Sequence, residues 1–116
     1  MKKKLDEMKK ELEHLYKSVE HSIETMYDVI LEIIPRNKDT KEIIKNAKKA
    51  LENIEISARC SYLTKHPETL QLIDYELYRM LSHIFRYLEL NMDMSIYEIE
   101  EKLEKIKKER NRKEKN

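Results

Sequence analysis

Hydrophobic residues follow a helical spacing through the first third of the chain. They recur at intervals of three and four residues, interrupted by Ser22, at Leu5, Met8, Leu12, Leu15, Val19, Met26, Val29 and Ile33. This is the heptad spacing of packed helices, and Tyr16, Ile23 and Ile30 widen the stripe into a bundle-facing surface. The pattern predicts a first helix from Lys2 to Ile34, about 50 Å long. Pro35 ends it, because the residue before a proline is pushed out of helical geometry.

Local signals predict where the next two helices begin. Asp39, followed three residues later by Glu42, matches a capping box and predicts the start of a second helix. Its stripe of apolar and small residues continues to about Lys65. Pro67 suits the first turn of a third helix, which extends to about Leu90.

A second capping box predicts the fourth helix. Ser95 and Glu98 form the box, and Met94 and Ile99 have the spacing of a hydrophobic staple. After Ile106 no apolar residue follows. Short connections favour antiparallel neighbours, so we expect an all-α protein folded as an up-down four-helix bundle. Residues 1–106 would form this single domain, and residues 107–116 a charged, partly frayed tail.

Composition excludes several classes of site. The chain has no Gly, which excludes glycine-rich phosphate loops and nucleophile elbows. A single Cys permits no internal disulfide and fits a reducing, cytoplasmic setting. The longest strictly apolar run has only three residues, so we expect no membrane contact. The abundance of Glu, Lys and Ile resembles hyperthermophile proteins.

Polar residues on one flank of the first helix include Glu11 and His14, whose spacing occurs in carboxylate-bridged di-iron bundles. No other His has a Glu three residues before it. We therefore expect no metal or other cofactor. Asp28 lies on the same flank, where we expect it to be half-exposed.

The formal net charge of +1 conceals two basic ends. In an up-down bundle of four helices, the first N-terminus, the connection between helices two and three and the last C-terminus lie together. We call this predicted cluster the basic pole, and one interpretation is that it contacts the phosphates of nucleic acid. The alternatives are a solvated tail, with lysines favourably placed at a helix C-terminus, and an acidic protein partner. The residues of the basic pole are Lys2, Lys3, Lys4, Lys9, Lys10, Lys65, Lys105, Lys107, Lys108, Arg110 and Arg112.

Arg59 and His66 form the one pattern with an enzymatic association. Their spacing resembles the Arg-x(4–6)-His motif of the HEPN family of ribonucleases, which are small helical bundles. The resemblance implies that Arg59 stabilises an RNA phosphate and that His66 acts as acid or base. It covers these two residues, and Cys60 stands where the family usually has a polar residue.

Seven Tyr against one Phe, with apolar residues off the main stripes, indicate an interaction surface. The leading interpretation is a non-enzymatic interaction protein, either a homodimer or a small subunit of a larger assembly. Nucleic-acid binding and HEPN-like ribonuclease activity are the alternatives. The predicted interface residues are Ile56, Cys60, Leu63, Tyr75 and Tyr87.

Overall fold

The computed structural model describes residues 2–115, with side chains as far as residue 113. Within that range all regular structure is helical, which confirms the all-α class. The four α-helices are α1 (Lys2–Asp28), α2 (Lys41–Leu63), α3 (Pro67–Met92) and α4 (Ile96–Lys115).

A π-helical turn, Val29–Ile33, follows α1 where the sequence predicts an uninterrupted α-helix. The amide of Ile34 donates to the carbonyl oxygen of Val29 at 3.0 Å, five residues back. Ile34 is then extended, with φ −65° and ψ 121°, as expected before Pro35. The wider turn buries Val29, Ile30 and Ile33, and it comes directly after Asp28, which is buried rather than half-exposed.

The connection into α2 differs from the predicted capping box. The side-chain oxygen of Asn37, rather than that of Asp39, accepts hydrogen bonds from the amides of Asp39 and Thr40, at 2.9 and 3.0 Å. The buried Thr40 hydroxyl donates to the carbonyl oxygen of Pro35 at 2.6 Å and holds the turn closed. Asn can replace Asp here because either side chain forms this turn with the backbone two residues on.

The ends of α3 agree better with the prediction. Pro67 occupies its first turn. The helix continues two residues past the predicted end at Leu90, to Met92, and Asp93 then takes the left-handed conformation at φ 54°. The Ser95 hydroxyl accepts the amide of Glu98 at 3.2 Å, as the second capping box predicts.

Lys65, in the α2–α3 connection, is also left-handed, at φ 59°. Glycine commonly takes this conformation at helix ends, and the chain has none.

Helices α1, α2 and α3 contact one another, whereas α4 contacts α1, α3 and the π turn. The core lies towards the end of the bundle that holds the π turn, and the first buried residue of α1 is Val19. Leu5 and Met8, predicted as core, are each 60% exposed. The radius of gyration is 16.4 Å, against about 13 Å for a compact domain of this length.

The last helix is longer than predicted, and it lies at a different end of the bundle from the one predicted. Residues 107–115 continue α4 instead of fraying, and only Asn116 of the predicted tail lies outside the described residues. Arg110 contacts Glu24 and Asp28 near the end of α1. These ion pairs, together with the buried Ile99 and Leu103, hold α4 at the π-turn end.

Candidate functional site

An acidic cleft of about 490 Å³ lies between α1 and α2 and is reached by α4. Five carboxylates and two guanidinium groups line it, so it stays acidic even with both cations in place. The lining residues are Tyr16, Glu20, Ile23, Glu24, Tyr27, Asp28, Leu31, Glu32, Glu55, Ala58, Arg59 and Arg110.

Arg110 forms the central interaction of the acidic cleft. Its guanidinium donates to one carboxylate oxygen of Glu24 and to Oδ1 of Asp28. Asp28 is only 5% exposed, and its Oδ2 is buried with no hydrogen-bond partner in the described part of the chain. The hydrogen bond to Asp28, reinforced by the charges of Asp28 and Glu24, raises the pKa of Arg110, so this guanidinium stays protonated.

Aromatic side chains form the walls of the acidic cleft. Tyr16 of α1 stacks on Tyr62 of α2, with ring centroids 4.4 Å apart and an interplanar angle of 25°. Nearby, the Tyr27 hydroxyl donates to Glu55 at 3.4 Å. Burial raises the pKa of Tyr27, and the charges of Glu55 and Glu52 raise it further. Helices α1 and α2 are therefore joined across the cleft by a stack and a hydrogen bond.

The structure separates the two basic segments that were predicted to form one pole. Arg110 contacts Glu24, and Glu24 lies about 30 Å along α1 from Lys3. Lys105, Lys107 and Lys108 are within about 8 Å of Arg110 along the α4 axis, so they lie at the same end of the bundle as Arg110. The prediction of a single pole is wrong because α4 is held at the π-turn end.

The rest of the predicted pole divides accordingly. Lys2, Lys3, Lys4, Lys9, Lys10 and Lys65 are exposed around the opposite end of the bundle, where Lys9 and Lys65 line the same groove. Arg112 is exposed on α4, two residues beyond Arg110. Nucleic-acid binding by either group stays a prediction.

The groove that Lys9 and Lys65 share is small and mostly apolar. It has a volume of about 160 Å³ and is also lined by Leu5, Met8, Leu12 and Pro67. It lies in what we call the lower half of the bundle, meaning residues 2–17, 52–63 and 67–79 with the connection between α2 and α3. Helix α4 is anchored on α1 in the other half, at Glu24 and Asp28.

Four of the five predicted interface residues are exposed. Ile56, Cys60 and Leu63 form a stripe on the last two turns of α2, and Tyr75 is exposed on α3. Tyr87 is different, because its ring is half-buried and packs against the hydrophobic core. Whether the exposed four contact a partner stays a prediction.

The structure does not bring Arg59 and His66 into one site. Arg59 lines the acidic cleft, whereas His66 precedes the first turn of α3 and is exposed outside the cleft lining. The carboxylates around Arg59 repel a phosphodiester. The ribonuclease interpretation stays a prediction that this arrangement does not favour.

Sequence reasoning missed the pairing of Asp28 and Glu24 with Arg110. One signal for it exists: Asp28 is a carboxylate directly before the apolar run Val29–Leu31, where burial requires a cationic partner. Across residues 2–115 no group of three or more His, Cys, Asp or Glu is arranged to hold a metal ion. No described helix has the length and apolar character needed to cross a bilayer.

Comparison with known proteins identifies no relative whose function could be compared with this site. No protein-family model matches the chain. Searches of curated proteins and of solved structures likewise find no significant match.

Proposed function

We propose that this protein is a non-enzymatic interaction module that pairs with a second copy of itself through the lower half of its bundle. The observation that carries the proposal is the placement of exposed apolar side chains. Eleven large hydrophobic side chains are exposed in the described chain, and seven of them lie in the lower half. The seven are Leu5, Met8, Ile56, Leu63, Leu72, Tyr75 and Tyr78.

The total surface supports the same proposal. The solvent-accessible surface is 9296 Å², whereas a folded monomer of 14.2 kDa exposes roughly 6,800 Å². The excess of roughly 2,500 Å² in one chain reflects its elongated shape, and it is larger than the roughly 800 Å² that each partner buries in a standard interface. Single exposed leucines are ordinary, but large exposed apolar areas mark interaction sites, and this half of the bundle exposes seven large apolar side chains.

Charge favours a second copy over a strongly charged partner. Residues 2–13, which flank the exposed Leu5 and Met8, carry five Lys and four acidic residues. When a surface that carries both positive and negative side chains packs against the same surface of a second copy, there is little net electrostatic repulsion, and Lys–Glu ion pairs can form across the contact. The heptad spacing of Leu5, Met8 and Leu12 suits the packing of helix against helix.

Sedimentation-equilibrium ultracentrifugation tests the proposal over about 1–100 µM, a range that covers micromolar dissociation constants. We expect the wild-type chain to form a dimer. Leu63→Glu places a charge in the lower half and should weaken dimerisation at least about tenfold, because burying an unpaired carboxylate costs more than 1.4 kcal/mol.

The matched control is Leu90→Glu, which changes a leucine of similar exposure outside the lower half. It should leave the dissociation constant unchanged. A wild-type chain that stays monomeric at 100 µM, or equal effects of the two substitutions, overturns the proposal.

A further inference from the structure

The acidic cleft is built for a positively charged ligand. Its five carboxylates outnumber the guanidinium groups of Arg59 and Arg110, and the volume of about 490 Å³ remains with Arg110 in place. Acidic residues alone would be ordinary solvated surface. Asp28 is not, because it is 95% buried in the cleft wall and its Oδ2 lacks any described partner.

The Arg110 contacts indicate which cation fits. Arg110 divides its donors between Glu24 and Asp28, and only Oδ1 of Asp28 receives one. A carboxylate binds a guanidinium best when two parallel N–H groups reach both of its oxygens. Arg110 therefore makes only one of the two parallel hydrogen bonds that a bidentate pair with Asp28 would contain.

The lining disfavours a metal ion. Glu20, Glu32 and Glu55 lie in the same cleft, but no three acidic groups in the described structure converge at metal-ligand distance. Carboxylates that are spread along a cleft suit a basic polypeptide segment, whose guanidinium groups offer several N–H donors in a fixed geometry. Tyr27 adds an aromatic ring on which a planar guanidinium can stack.

We propose that the acidic cleft binds an arginine side chain of another polypeptide, presented on a basic segment, and that Arg110 is the internal occupant which this arginine displaces. The incoming guanidinium pairs with both oxygens of Asp28 and with Glu24. Arg110 and the end of α4 are then released from α1. Asp28 and Glu24, which would pair with the incoming arginine, lie outside the lower half of the bundle, so peptide binding and self-association are tested by different variants.

The probe is a fluorescein-labelled peptide with the sequence of residues 104–113, which contains two arginines. Its binding is followed by fluorescence polarisation in 0.15 M salt. We expect weak binding to the wild-type chain and binding at least about tenfold tighter to Arg110→Gln, because an internal charge-assisted hydrogen bond worth about 1.5–3 kcal/mol no longer competes. Arg112→Gln is the matched control and should bind like the wild type.

Three further measurements define the site. Asp28→Asn, combined with Arg110→Gln, should weaken peptide binding at least about tenfold, since the charge-assisted bond is lost. The peptide with both arginines replaced by lysine has the same charge and should bind at least about fivefold more weakly. Spermine should compete only at concentrations well above those of the arginine peptide.

Circular dichroism verifies that each variant is folded. If Arg110→Gln fails to fold, Arg110→Lys replaces it, because lysine keeps a positive charge beside Asp28 while giving up the guanidinium geometry. Absence of peptide binding at 1 mM overturns the proposal. Equal binding of the arginine and lysine peptides overturns it as well, because the cleft would then recognise charge alone.

Discussion

The contact between Arg110 and Asp28 gives a stability prediction that can be worked from the structure. Arg110→Met keeps most of the aliphatic side chain and removes the guanidinium. The Glu24 side chain is 52% exposed, so its ion pair contributes at most about 1 kcal/mol. The Asp28 side chain is only 6% exposed, and a hydrogen bond between charged groups there contributes about 1.5–3 kcal/mol.

The expected loss is about 2 kcal/mol, at the low end of the summed range because Arg110 itself is one-third exposed. For a chain of this length, that lowers the melting temperature by about 8 °C. Urea unfolding followed by circular dichroism at 222 nm measures the loss directly. The matched substitution Arg112→Met, on the exposed side of the same helix, should change stability by less than about 0.5 kcal/mol.

A double-mutant cycle isolates the pair. Arg110→Met, Asp28→Asn and the double variant should show a coupling free energy of at least about 1 kcal/mol. Equal stability of Arg110→Met and Arg112→Met, within about 0.3 kcal/mol, or a coupling free energy near zero, would refute the reasoning. The buried Asp28 would then gain nothing from Arg110, and α4 would be held by apolar contacts alone.

Three other predictions concern pH, packing and backbone conformation. The raised pKa of Tyr27 means that folding favours its neutral form, so its contribution to the unfolding free energy is complete below pH 10 and is lost as the pH rises above it. Between pH 9 and 11 the unfolding free energy should therefore fall less steeply for Tyr27→Phe than for the wild type. Identical slopes for the two proteins would contradict this prediction. Ile99→Ala should cost about 2–3 kcal/mol in urea unfolding because Ile99 is fully buried, against less than about 1 kcal/mol for the exposed Ile96→Ala. Lys65→Gly should raise the melting temperature by relieving about 0.5–1 kcal/mol of left-handed strain, whereas Lys48→Gly within α2 should lower it.

Local sequence signals predicted most of the helical framework. Pro35 and Pro67 mark a helix end and a helix start because proline restricts the backbone in any context. The Ser95 cap forms as expected because all its groups lie within four residues. Such signals need no knowledge of the tertiary structure.

The burial and pairing of residues that depend on the path of α4 could not be predicted from local sequence signals. The heptad stripe predicts that Leu5 and Met8 are core residues, but such a stripe shows only that they can be buried, and both are 60% exposed because no helix of the described chain covers them. Asp28 and Arg110 are 82 residues apart, and their pairing depends on where α4 crosses α1. The division of the basic pole follows from the same crossing.

The π turn also fixes the rotational phase of the helix that it ends. A π turn holds about one more residue than an α-helical turn, and one residue corresponds to about 100° of rotation. Helix α1 packs mainly on α2 and α3, whereas the π turn contacts α2 and α4. The additional residue therefore rotates the side chains that follow Asp28 by about 100° relative to a continuous α-helix, and this part of the chain contacts α2 and α4 but not α3.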